Sequence, residues 1–272
     1  MKISVNYWML EGGAEAKLPV LEAIKRAKEL GFDAIELCIF SEGVLTDNTT
    51  ESECKQIAAY AEKTGIEISS LASCENWEKP PTVNDPEARK KAIEFTKKAL
   101  QITAWLGTDV YLYVPGTVSE AVPYDICYER AAEAIRQLIP VAEQTGVAIG
   151  VENVWNKFLL SPLEMRDFID SFNSKMVVCY FDVGNVLLTG YPEHWIKILG
   201  DQIKRIHIKD FKVSVGTFEG FVDLLEGDVD FEKVKKALAD ISYDGYVTSE
   251  LMPYVAGRPE KTLTAMNKIF KS

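Results

Sequence analysis

The chain has 272 residues, is 47% hydrophobic, and carries 30 Lys and Arg against 41 Asp and Glu, a net charge of −11. An acidic chain of this kind repels a phosphodiester backbone unless it holds a local basic groove, so nucleic acid is not an expected partner. Its apolar content suffices for the core of one α/β barrel, and residues 1–272 are expected to form a single domain.

Strand-like and helix-like segments alternate along the whole chain. Ile3–Met9 reads as a first strand. The following helix, within KLPVLEAIKRAKELGFD, sets Leu18, Leu21, Ile24, Ala27 and Leu30 on one face. Then come strand AIELCIF, helix ESECKQIAAYAEKTG, strand EISSLASC and a long helix opened by Pro86, a residue suited to a first helical turn. DVYLYVP is the fourth strand. The helix from Asp125 to Gly146 contains Pro140, which is expected to kink or divide it.

AIGVENV is the fifth strand, and Ser161-Pro162 reads as an N-cap and first-turn proline opening SPLEMRDFIDSF. Strand MVVCYFDVGN, helix PEHWIKILG, strand IKRIHIKD, helix DFEKVKKALADI capped by Asp230, strand YVTSEL and a closing helix from Arg258 to Ser272 complete the series. Glycines in ELGFD, WLGTD, QTG and SYDG mark the helix-to-strand joins, where a left-handed cap is expected.

The five cysteines, Cys38, Cys54, Cys74, Cys127 and Cys179, are odd in number and show no CxxC spacing, which fits a reducing cytosol. No apolar run approaches the ~18 residues of a membrane span, and MKISVNYWML is too short and polar for a signal segment. A soluble, cytoplasmic protein without membrane contact is expected.

Eight βα units in this length point to a (β/α)8 TIM barrel. A doubly wound sheet is the runner-up, but no GxGxxG follows the first strand. Four of the later strands end on ionisable groups: Glu152, Asp182, His207 and Glu250. In a barrel the carboxyl ends converge on one mouth, so these four can meet in a metal site. Alternation turns Gly150, Tyr180, Arg205 and Thr248 inward with them.

GVENVWN, YFDVGN, RIHIKD and TSEL, in that order and spacing, resemble the sugar isomerases and epimerases built on a xylose isomerase-like barrel. That group includes ketose 3-epimerases, ketose-phosphate 3-epimerases and hydroxypyruvate isomerases, and the resemblance spans essentially the whole chain. It implies that Glu152, Asp182, His207 and Glu250 bind a divalent metal and that Glu152 and Glu250 exchange protons with substrate. The implied function is isomerisation or epimerisation of a small ketose or ketose phosphate through a metal-stabilised cis-enediolate. Endonuclease IV shares this fold but needs several histidines, whereas this chain has two, His194 and His207.

Three carboxylates and one imidazole form a mostly hard donor set, suited to Mn2+ first, then Mg2+ or Co2+, with Zn2+ as a further candidate. The alternative enzyme is a dehydratase of an inosose or dehydroshikimate type, in which the same enolisation expels a β-hydroxyl. A sugar-binding barrel without activity is a third reading, disfavoured because all four ligand positions are filled. A homodimer or homotetramer is the assembly expected by the resemblance.

Further candidates surround this set. Glu36, closing the second strand, is a candidate substrate contact or otherwise a hydrogen-bonding wall residue. Asn185 stands where ketose 3-epimerases usually have a substrate-contacting histidine, a departure from the family pattern. Lys157 and Lys209 are candidates to hold a phosphate, or are solvated charges. Trp8, with Tyr7 and Trp155, is a candidate apolar wall for sugar carbons, core filling being the commoner role of such rings. His194, at a helix start, reads as a surface or capping residue.

Overall fold

The computed structural model describes residues 1–271, so Ser272, assigned above to the closing helix, lies outside the described residues. In chain order the first half runs β1 (Lys2–Asn6), α1 (Val20–Leu30), β2 (Ala34–Cys38), α2 (Glu51–Thr64), β3 (Glu67–Ala72), the short α3 (Glu75–Glu78), α4 (Pro86–Trp105), β4 (Val110–Tyr113) and α5 (Tyr124–Thr145). The second half runs β5 (Ala148–Glu152), α6 (Pro162–Asp170), β6 (Val177–Asp182), α7 (Pro192–Leu199), β7 (Ile203–Ile208), β8 (Asp210–Phe211), β9 (Phe221–Val222), α8 (Phe231–Asp240), β10 (Tyr246–Ser249) and α9 (Arg258–Phe270). Eight parallel strands close into a barrel in the order β1-β10-β7-β6-β5-β4-β3-β2. The antiparallel pair β8-β9 stands outside it.

Local chemistry accounts for the helix starts. Thr50 and Glu53 form a reciprocal capping box on α2, Asp85 caps α4 ahead of Pro86, Ser161 caps α6 ahead of Pro162, and Asp230 caps α8. Each cap satisfies an amide that the helix itself leaves without a partner. Between the strands and the helices, apolar residues such as Ile24, Ile35, Leu100, Ile135, Phe168, Ile196 and Leu238 make a continuous buried layer. Among the described residues, no helix is long and apolar enough to cross a membrane, and all five cysteines are free thiols.

Three expectations are corrected. The first strand ends at Asn6, and Tyr7–Met9 forms a 3-10 turn, because the Asn6 side chain accepts the Trp8 amide proton and turns the chain. α5 runs unbroken through Pro140, so the proline does not divide it. Pro140 lies on the exposed side of the helix with Arg136, whose carbonyl is the one the missing N–H leaves without its helical partner, while Ile135, Leu138 and Ala142 pack the opposite face. In SYDG the left-handed residue is Ser242 at φ 58°, not Gly245. Gly245 instead packs against a side chain: a methyl group there would lie 2.6 Å from the Tyr243 hydroxyl and would have to displace that ring.

Candidate metal centre

β5, β6, β7 and β10 are neighbours in the barrel wall, and Glu152, Asp182, His207 and Glu250 stand at or just past their carboxyl ends. Register places Asp182 level with His207, and His207 level with Thr248 two residues before Glu250. One donor atom from each of the four residues lies within 4.8 Å of every other, and all four side chains are buried. Nδ1 of His207 is 3.0 Å from Glu152 Oε1, 2.8 Å from Glu250 Oε2 and 3.9 Å from Asp182 Oδ2.

Lys209, two residues beyond His207, turns into the same cluster. Its ammonium lies 3.0 Å from Asp182 Oδ2 and 2.7 Å from Glu250 Oε2. Neither oxygen receives a well-aligned hydrogen bond, although both are buried, so these are close charge contacts with acceptor capacity left over. The loops hold the acids in place. Asn153 donates to the Asp182 carbonyl and accepts from its amide, Asn185 donates its amide proton to Asp182 Oδ1, and the Asn185 side chain donates to the Asn153 carbonyl.

Burial dominates the electrostatics. It pushes the Glu152 carboxyl up to about 7, against the opposing pull of His207, and it raises Asp182 despite Lys209. Burial acts the same way on Glu250, but Lys209 and His207 more than offset it and hold that carboxyl well below its ordinary range. For His207 and Lys209 burial opposes the charge, and the surrounding carboxylates outweigh it, raising both. Four buried acids, Glu36 included, thus face two cationic side chains. The hard donor set and its spare acceptor capacity fit a divalent cation.

The other candidates separate. Glu36 is fully buried beneath the cluster, bound to His207 Nε2 at 2.7 Å. Asn185 commits one side-chain N–H to the loop brace described above. Lys157 is exposed on the loop after β5, with φ 59°. Trp8 is only 7% exposed and sits in the core, and Tyr7 donates its hydroxyl to the Leu18 carbonyl beside Phe40. Trp155 is the aromatic residue at the mouth. Its indole donates to the Asn185 carbonyl, and its rings contact Phe211, Phe218 and Phe221 at 4.9–5.3 Å between centroids. His194 is exposed on α7 against Tyr191.

Sequence reading missed two groups of residues. Asn6 and Ser70, which no motif marks, line the barrel beneath the acids beside Tyr180, the inward-facing residue that strand alternation predicts. The β8-β9 hairpin is not among the elements expected from the sequence, yet it carries Phe211 and Phe221 to Trp155 and places the Phe221 ring 5.6 Å from the Lys209 ammonium. Asp210 secures its base by accepting from the amides of Phe211, Gly227 and Val229. The KD pair before an aromatic-rich stretch was the available signal.

Comparison with known proteins places this geometry among similar barrels. Residues 24–270 match a family model described as the xylose isomerase-like TIM barrel. An L-ribulose-5-phosphate 3-epimerase of Salmonella paratyphi A is 24% identical over 251 residues, covering 88% of this chain and 84% of that protein. An uncharacterised protein of Methanocaldococcus jannaschii is 24% identical over 236 residues, 84% of this chain and 78% of its own. Among solved structures, a D-tagatose 3-epimerase-like protein superposes with a TM-score of 0.81 at 19% identity, over 99% of this chain and 97% of that one. D-psicose 3-epimerase from Clostridium cellulolyticum H10 gives 0.74 at 20% identity, over 96% and 90%.

Proposed function

Because the chain belongs to the xylose isomerase-like TIM barrel family, we propose that it is a divalent-metal-dependent epimerase of a small ketose or ketose phosphate. One observation carries this reading. Glu152 and Glu250 come from β5 and from the end of β10, strands separated by β6 and β7, yet both carboxylates reach the same His207 nitrogen. Two acids converging from separate parts of the wall can address opposite faces of one substrate carbon.

A divalent cation held by Glu152, Asp182, His207 and Glu250, with manganese the favoured ion, would act as a Lewis acid on the substrate carbonyl. One glutamate then removes the proton next to that carbonyl, and the other returns a proton to the opposite face. Lys209 keeps an ammonium beside Asp182 and Glu250, where it can donate to an oxygen gaining negative charge. Asn153 and Asn185 fix the approach of the Asp182 carboxylate, and the rings about Trp155 wall one side of the mouth. The relatives named as 3-epimerases of ketoses and ketose phosphates support C3 as the reacting carbon.

The experiment is NMR of free and phosphorylated ketoses incubated with Mn2+-loaded protein in D2O, after removal of the paramagnetic ion. Deuterium at C3 together with a new epimer is the expected result. Deuterium at C1 with an aldose product would make the protein an aldose–ketose isomerase, and loss of water would make it a dehydratase.

A further inference from the structure

We infer that Glu36 is the positioning residue for His207: it holds the imidazole with Nε2–H toward itself and Nδ1 toward the three carboxylates of the centre. The inference rests on the metal-centre reading above and adds a residue and an atom assignment to it. Nε2 of His207 lies 2.7 Å from Glu36 Oε1, on the side of the ring away from Glu152 and Glu250. The nitrogen left to face the acids is Nδ1.

Glu36 can do this because it is itself immobilised. Its Oε1 also accepts from Asn6 Nδ2 at 2.5 Å, and its Oε2 accepts from Ser70 Oγ at 2.7 Å and from the Tyr180 hydroxyl. These donors come from β1, β3 and β6, so the carboxylate is gripped from both sides of the barrel. Its four acceptor positions are engaged by protein donors, which leaves none directed at the mouth. The Tyr180 ring also packs on the imidazole, 4.6 Å between centroids, so the side chain that clamps Glu36 limits rotation of His207.

A carboxylate behind a ligating histidine fixes the tautomer and strengthens the donor nitrogen, and losing such a partner typically costs 10–100-fold in metal affinity. Glu36 differs from the other acids of the cluster in pointing at the imidazole from below. It acts through His207 and does not touch substrate.

The test uses the small histidine content. With 15N-labelled histidine the chain gives two imidazole signal sets, from exposed His194 and buried His207. Long-range 1H–15N correlation spectra are recorded with and without Zn2+, a diamagnetic ion. A protonated Nε2 and a metal-shifted Nδ1 at His207 are expected in the loaded protein. A protonated Nδ1 with a metal-shifted Nε2 would overturn the Glu36 assignment and leave the metal centre standing. No response of His207 to the ion would instead remove the metal centre. As a second measurement, Glu36→Gln is expected to weaken Mn2+ binding about 10–100-fold by calorimetry and to blur the two-nitrogen pattern. An unchanged affinity and pattern in that variant would refute the positioning role, and if the variant does not fold, the wild-type spectrum decides alone.

Discussion

Gly184 and Lys209 are packed backbone to backbone: a methyl group on Gly184 would lie 2.6 Å from the Lys209 Cβ and 3.2 Å from its carbonyl carbon. The glycine of YFDVGN is there for space, since its φ is not in the left-handed range. Gly184→Ala must therefore push β7's exit away from Asp182. A stability loss of about 1–3 kcal/mol is expected, as for other overpacked sites, together with a fall in kcat. A variant with unchanged melting and turnover would mean that this loop is softer than the packing implies.

Glu152→Gln and Glu250→Gln are each expected to suppress exchange of the substrate proton with solvent by about 10²–10⁴-fold, the usual worth of a positioned acid or base. Circular dichroism should show the fold intact. If either variant retained normal exchange, that glutamate would lose its proton-transfer role.

Dialysis against a chelator should abolish turnover, and Mn2+ should restore it more fully than Zn2+. An ion that binds only the folded chain also stabilises it, by about 2.7 kcal/mol at a free concentration 100 times Kd. Differential scanning calorimetry should record this as a rise in Tm that saturates with ion concentration. Full activity in metal-free protein would defeat the metal reading.

Lys157 and Lys209 offer different predictions because one is exposed and the other is tied to Asp182 and Glu250. If a phosphate reaches Lys157, Lys157→Met should raise KM about 10-fold for a phosphorylated ketose and leave the free sugar unaffected. Lys209→Met should lower kcat about 10²-fold for both. A Lys209 variant impaired only with the phosphorylated sugar would make Lys209 the phosphate holder.

At the amino ends of the strands, Arg205 donates to Asp109 at 2.5 Å, to the Ser69 carbonyl at 2.7 Å and to the Lys204 carbonyl at 2.9 Å. Burial resists ionisation of Asp109, but Arg205 and Lys204 hold its carboxyl below the ordinary value. A depressed folded-state pKa contributes stability above the unfolded value of about 4 and loses it as pH falls through the lower folded value. Asp109→Asn should therefore cost about 1–2 kcal/mol at pH 7, a figure kept small because Asp109 is half exposed. Urea titrations should find the gap to wild type closing only in strong acid. A gap that persisted there would assign the loss to packing.

The barrel was legible because the alternation of strand and helix patterns survives along the entire chain, and because α2, α4, α6 and α8 each start on a side-chain cap. Glu152, Asp182, His207 and Glu250 were legible for a related reason: each ends an apolar strand, where an ionisable residue stands out. The partners of Glu36 were not, because Asn6, Ser70 and Tyr180 meet it only once β1, β2, β3 and β6 are in register around a closed wall. β8 and β9 are two residues each, too short for alternation to register, and the Asp210 carboxylate that secures them accepts long-range bonds from the Gly227 and Val229 amides. Whether Pro140 divides its helix depends on whether the orphaned carbonyl can be solvated, which sequence does not state.

The four donors occupy adjacent staves of the wall, β5, β6, β7 and β10, while the loops leaving β1 to β4, residues 7–19, 39–50, 73–85 and 114–123, rise from the opposite arc. Inheritance can treat these two arcs as separate traits. Insertions and exchanges in the donor-free loops can reshape the entrance for a longer, shorter or differently decorated substrate without shifting any of the four ionisable residues. New specificities on this scaffold are expected to arise by drift on one semicircle while the reaction type is kept by the other.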